Sequence, residues 1–226
     1  MGKLGNYFSI LAILIASFIL YLFFGYIKDV FLNLPYTYRW LVFFMISFIG
    51  ATSVIFPIPY TVIIFLLASR IPNINPLEVA VFSGLGSALG EVVGWVLGRL
   101  VTGAVSTSTR RRADALLRII RMKGEWFVPI VIFLFAFTPL PDDILFIGLG
   151  LVNYPLLKAL IPCTAGKITM LYVVSFFGIQ VSSASEGLDD LTVSLITLAV
   201  LIAIIFIVFK IDWEKILEEK IAVKKK

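Results

Sequence analysis

The sequence predicts an all-α polytopic membrane protein with about four spanning helices plus two re-entrant helical hairpins in an inverted repeat. Three observations carry that prediction. Hydrophobic residues make up 60% of the 226-residue chain and charged residues only 15%, and the mean hydropathy is +1.04. Soluble domains are nearer half apolar, with about a quarter of their residues charged. Two apolar regions are broken midway by Pro-x-Pro, in "FPIPYT" at 56–61 and "FTPLPDD" at 137–143. Basic and acidic residues gather in different loops, as a fixed membrane topology requires.

The elements follow in order. Residues 7–27 are apolar for too long to be the core of a signal peptide, and no small-residue cleavage site follows, so they read as a retained first span. With the loop to residue 39 they form an N-terminal region, 1–39. A central core is expected over 40–180 and a last span with a basic tail over 181–226. Within the core, residues 77–100 and 155–179 are long enough to cross a bilayer, as are 191–209 beyond it. The regions at about 40–70 and 126–152 are not: each is a pair of short apolar arms around a proline break, at Pro57 and Pro59 and then at Pro139 and Pro141. Ten residues of helix cover about 15 Å, half of a hydrocarbon core. Each pair therefore reads as a hairpin that dips in and returns.

Charge tests the topology. Residues 99–123 hold Arg99, Arg110, Arg111, Arg112, Arg118, Arg121 and Lys123 against Asp114 alone, which places this loop in the cytoplasm. The "KKK" tail is expected there too, whereas 180–190 carries only acids. Two hairpins satisfy all three loops and leave both termini cytoplasmic, in a cell-membrane protein. One crossing separates the hairpins, so they enter from opposite faces, as in secondary transporters with inverted repeats. The segment 108–123 can form an amphipathic helix on the inner surface.

Composition also excludes. There is no histidine, which argues against an imidazole catalyst or a zinc site, and Cys163 is the only cysteine. The net charge of +5 sits at segment ends, which speaks to topology rather than to nucleic acid. No cofactor or metal and no enzymatic activity are expected.

Few residues carry chemistry. Gly86, Gly90, Gly94 and Gly98 recur every fourth position and form a stripe that another backbone can approach closely. Glu91 lies beside that stripe, about 12 Å along the helix from Arg99. An ionisable group at such depth needs a partner or a polar cavity. Lys167, about 18 Å into its span from Pro155 and next to Gly166, is the expected partner. Lys158, near the end of the same span, can snorkel to the interface. At the second hairpin tip, Thr138 is expected to cap the returning helix and Pro139 to occupy its first turn. Asp142 and Asp143 suit the positive end of that helix. Two adjacent acids exceed what a cap requires, so at least one is expected near a cation, a proton path or water, with Lys167 the favoured partner. The first tip offers only the hydroxyls of Tyr60 and Thr61.

"EVVGWVLGR" at 91–99 resembles the Glu-x-x-Gly-aromatic-x-x-Gly-Arg pattern of the DedA family, whose domain is also called the SNARE-associated or VTT domain. The similarity covers roughly 40–180. "FAFTPLPDD" occupies the place of an Arg-Phe-x-Pro-x-x-Arg segment, with Ala136 and Asp142 standing where that family has arginines. The first hairpin lacks the glutamate that many members carry after its proline. The resemblance implies a flippase or scramblase that moves an isoprenoid phosphate carrier or phospholipid between leaflets, with proton coupling. It makes Lys167 and Arg99 the substitute cations for an anionic lipid phosphate. Membrane lipids are thus the expected partners, and a homo-oligomer is compatible with the sequence. The alternative is a proton-driven secondary transporter of a small solute or ion.

Overall fold

The computed structural model describes residues 25–53, 58–71, 73–103, 127–138 and 142–184. The basic segment 108–123, the last span at 191–209, nearly all of the first span, Pro57, Pro139 and Pro141 lie outside the described residues. Every regular element that is described is helical. A helical stretch over 25–33 and a 3-10 turn at Tyr36–Tyr38 lead into α1 (Arg39–Thr52). Then follow α2 (Tyr60–Arg70), α3 (Pro76–Leu100), α4 (Phe127–Phe137), α5 (Asp143–Leu151) and α6 (Leu156–Ala184). The packing below lies within the unit that ends at Gln180.

Among the described residues two helices, α3 and α6, are long and apolar enough to cross a membrane. At a rise of 1.5 Å per residue they measure about 37 and about 43 Å, while the longest of the other four measures about 21 Å. Local sequence sets the limits of the long helices. The Asn75 side chain accepts the Leu77 N–H at 2.9 Å, and Pro76 takes the first position, where an N–H is not needed. Before α6, Asn153 adopts a left-handed conformation at φ 54°. The N–H of Asn153 donates to the Gly150 carbonyl and that of Tyr154 to Leu149, a Schellman closure of α5. Asn73, in the turn between α2 and α3, is likewise left-handed at φ 59°. Asn tolerates this region better than most residues.

The glycine stripe of α3 admits two backbones rather than the single one its regular spacing suggests. A methyl group on Gly86 or Gly90 would strike α1, at the Phe44 carbonyl and at Ala51. One on Gly98 would strike the Ile147 carbonyl of α5, whereas at Gly94 the α5 backbone stands off at ordinary contact, 3.5 Å. Helix α6 is loaded in the same manner. Gly166 meets α4 at the Phe133 carbonyl, 2.6 Å from an added Cβ, and Gly178 meets α2 at Phe65 and Ala68. The order of these contacts shows that α1 and α5 run in the direction of α3, one beyond the other. Gly84 packs on Ile168, and the Ser175 hydroxyl donates to the Pro76 carbonyl at 3.2 Å, so α3 and α6 run in opposite directions.

Helix α2 forms the interior. Val62 to Ser69 are all buried, which is why its apolar residues show no one-sided period. The outer faces of the other helices remain apolar: Leu134, Ile144, Leu157, Ile161 and Phe177 are all exposed.

Candidate functional site

The residues that begin α2 and α5 meet the middle of both long helices. Glu91 lies about 22 Å along α3 and Lys167 about 17 Å along α6. Each follows a glycine where a short helix presses close, so each polar side chain enters a packed interior. Lys167 is 2% exposed, Glu91 1% and Asp142 5%. Charges so deeply removed from water persist only when paired and hydrogen-bonded.

The pairing is made by Lys167. Its Nζ lies 2.6 Å from Asp142 Oδ2 and 3.1 Å from Glu91 Oε1, and it donates to the Tyr60 hydroxyl at 3.0 Å. An ammonium has three N–H groups, and these are three acceptors. The Asp142 contact has the distance of an ion pair without the angle of a directed hydrogen bond. The Tyr60 ring also faces the ammonium, 5.7 Å from Nζ to its centroid. Four separate helices thus supply one cation, two carboxylates and a phenol. Two further carboxylate oxygens, Glu91 Oε2 and Asp143 Oδ1, are buried without a hydrogen-bond donor. The cluster can therefore take up additional protons or polar hydrogens.

Asp142 occupies the N-cap position of α5 but makes no capping hydrogen bond, because its carboxylate is engaged by Lys167. The expected cap at Thr138 is corrected. Helix α5 begins at Asp143, and the Thr138 hydroxyl instead donates to the Phe135 carbonyl at 2.8 Å, closing α4. Asp143 is in the first turn of α5 and half-buried. Pro59, the described proline of the first break, stands at the N-cap of α2, where its carbonyl accepts the Val62 N–H at 3.0 Å.

Arg99 does not join the cluster. It lies near the end of α3, its guanidinium over the Trp95 ring at 5.1 Å. The Trp95 indole N–H donates to the Tyr154 carbonyl at 3.0 Å, so this pair braces the turn between α5 and α6. Ala136, at the first family arginine position, is fully buried and lies 2.8 Å from where a Cβ on Gly166 would sit, which leaves no room for a guanidinium.

Tyr60 is the participant that sequence reasoning undervalued. The available signal was its position as the first residue after the Pro-x-Pro break. Among the described residues, no group of three or more His, Cys, Asp or Glu is placed to hold a metal ion. A cavity of about 430 Å3 opens between α4 and α6, lined by Val128, Pro129, Tyr154, Pro155, Lys158, Ile161, Pro162 and Ala165. No protein-family model matches the chain, and neither does any curated protein or solved structure.

Proposed function

We propose that the chain is an integral membrane transporter of the DedA type, a flippase or scramblase for an anionic lipid phosphate such as an isoprenoid phosphate carrier or phospholipid. The single observation that carries this reading is the buried Tyr60–Glu91–Asp142–Lys167 cluster, which holds the only buried charges among the described residues. An ionisable residue at membrane depth is by default a candidate for a substrate or proton pathway.

In this reading α1–α2 and α4–α5 are re-entrant hairpins entering from opposite faces of the cell membrane, with both chain termini cytoplasmic. The repeat pairs Gly90–Glu91 with Gly166–Lys167, and Pro59–Tyr60 with Asp142–Asp143. Three facts support it. Each long helix carries one arm from each hairpin. Each follows a left-handed Asn and begins at or beside a proline. The short helices cannot cross a core of about 30 Å alone. Opposite charges at equivalent repeat positions then hold the two halves together in the resting state.

The N-termini of α2 and α5 face the cluster and carry partial positive charge. When the halves rock apart, Lys167 exchanges carboxylates for the lipid phosphate, and Glu91 or an Asp exchanges a proton. Return of Lys167 expels the lipid on the other side.

The test is translocation of a fluorescent lipid phosphate in liposomes containing the purified chain. Wild type equilibrates the label between leaflets, while Glu91→Gln, folded as judged by circular dichroism, does not. If a water-soluble anion crosses in response to a proton gradient and the lipid does not, the small-solute alternative replaces this reading.

A further inference from the structure

We propose that the groove between α4 and α6 is the entry seat for one anionic lipid, with its phosphate on Lys158 and an acyl chain along Ile161 and Ala165. This rests on the transporter reading, and it assigns that transporter a lipid site separate from the buried cluster.

The argument begins with the lining. At about 430 Å3 the groove has the volume of an ordinary ligand pocket. Its walls are Val128, Pro129, Tyr154, Pro155, Ile161, Pro162 and Ala165, and among the described residues Lys158 is the one charged side chain that lines it. Three of these are prolines, which have no N–H to offer a ligand. An anionic group entering here is thus held by the Lys158 ammonium. Pro162 also lacks the N–H that the Lys158 carbonyl, four residues earlier, would accept in an unbroken helix. The Lys158 carbonyl therefore lacks its usual helical donor, although the helix continues through Pro162.

The second part is shape. From Lys158 to Ala165 the groove follows α6 for about 10 Å. Lys158, Ile161 and Ala165 are exposed, and Leu157, 74% exposed, adjoins the mouth. A cation at one end of an apolar trough matches an amphiphile with a negative head and a hydrocarbon tail. A free anion satisfies only the first of these features, and a neutral lipid only the second. On the topology proposed above this end of α6 is cytoplasmic, the side where anionic lipids attract basic residues.

The experiment is native mass spectrometry of the full chain in detergent, equilibrated with equal amounts of phosphatidylglycerol and phosphatidylcholine. Wild type is expected to retain phosphatidylglycerol preferentially. Lys158→Gln, at an exposed position, should lower that preference about fivefold, the scale of one basic residue at an anionic surface. Ala165→Trp, which fills the groove without altering charge, should lose both lipids while keeping a wild-type circular dichroism spectrum. The inference is overturned if both variants retain the same lipids as wild type, or if inorganic phosphate alone displaces the bound lipid. Translocation measured on the same proteins separates the two readings. Bound phosphatidylglycerol without any translocation leaves the seat standing and refutes the transporter. Wild-type translocation by a variant that has lost the lipid refutes the seat as the entry and leaves the transporter standing.

Discussion

Replacing Lys167 with methionine removes the cation from a site that keeps its carboxylates. At an effective dielectric of about 20, unit charges at 2.6 and 3.1 Å attract by about 6 and about 5 kcal/mol. Most of that attraction offsets the desolvation of three nearly buried ions, so the gross sum is not the cost of the substitution. The cost is set by Glu91 and Asp142, left facing each other with no counter-charge. Breaking a buried ion pair from one side costs about 3–5 kcal/mol. For a chain of this size that lowers the melting temperature by about 6–20 °C. Glu91→Gln leaves the closer Lys167–Asp142 pair intact and is expected to cost about 1.5–3 kcal/mol, the scale of a hydrogen bond to a charged group. The Lys167→Met/Glu91→Gln double variant should be more stable than the sum of the two losses predicts, because the groups share one network. The assay is thermal unfolding in detergent followed by circular dichroism. A loss no larger than about 0.5 kcal/mol, that of an ordinary surface substitution, would refute the reasoning.

Other expected outcomes are smaller in scale. Tyr60→Phe keeps the ring over the ammonium but removes the hydroxyl that Lys167 uses, and should cost about 1.5–3 kcal/mol in the same unfolding assay. Gly98→Ala drives a methyl into the Ile147 carbonyl and should cost about 1–3 kcal/mol. Gly148→Ala meets nothing within 4 Å and should stabilise α5 by about 0.5–1 kcal/mol, so equal effects at the two glycines would contradict the packing described. Asn153→Ala should lose about 1 kcal/mol at its left-handed position while Asn153→Gly loses none, read from the same melting curves.

The broken helices were legible because proline breaks and arm lengths are local properties. The end of α1 at Thr52, the start of α2 at Tyr60 and the start of α3 at Pro76 follow from residues that are neighbours in the chain. Lys167 could be matched with Glu91 and Asp142 because buried charges in an apolar protein have few possible partners. Tyr60 was harder to foresee, since a phenol at a hairpin tip is neutral and demands no partner. The start of α5 was misplaced because Thr138 followed by proline carries a helix-start signal. Local capping preference lost there to a tertiary contact, the pull of Lys167 on Asp142. The glycine stripe announced close packing, but its spacing could not say that two helices share it. That division depends on where α1 ends and α5 begins.

Exchanging the charges of Glu91 and Lys167 tests the central claim most directly. Glu91→Lys alone crowds two cations around Asp142, and Lys167→Glu alone leaves three acids with no cation. The double substitution Glu91→Lys/Lys167→Glu returns one cation to two carboxylates within the same cluster. Translocation of a labelled lipid phosphate in liposomes is predicted to fail in both single variants and to recover in the double. A double variant no better than the worse single one would contradict an interhelical charge pair at the centre of transport.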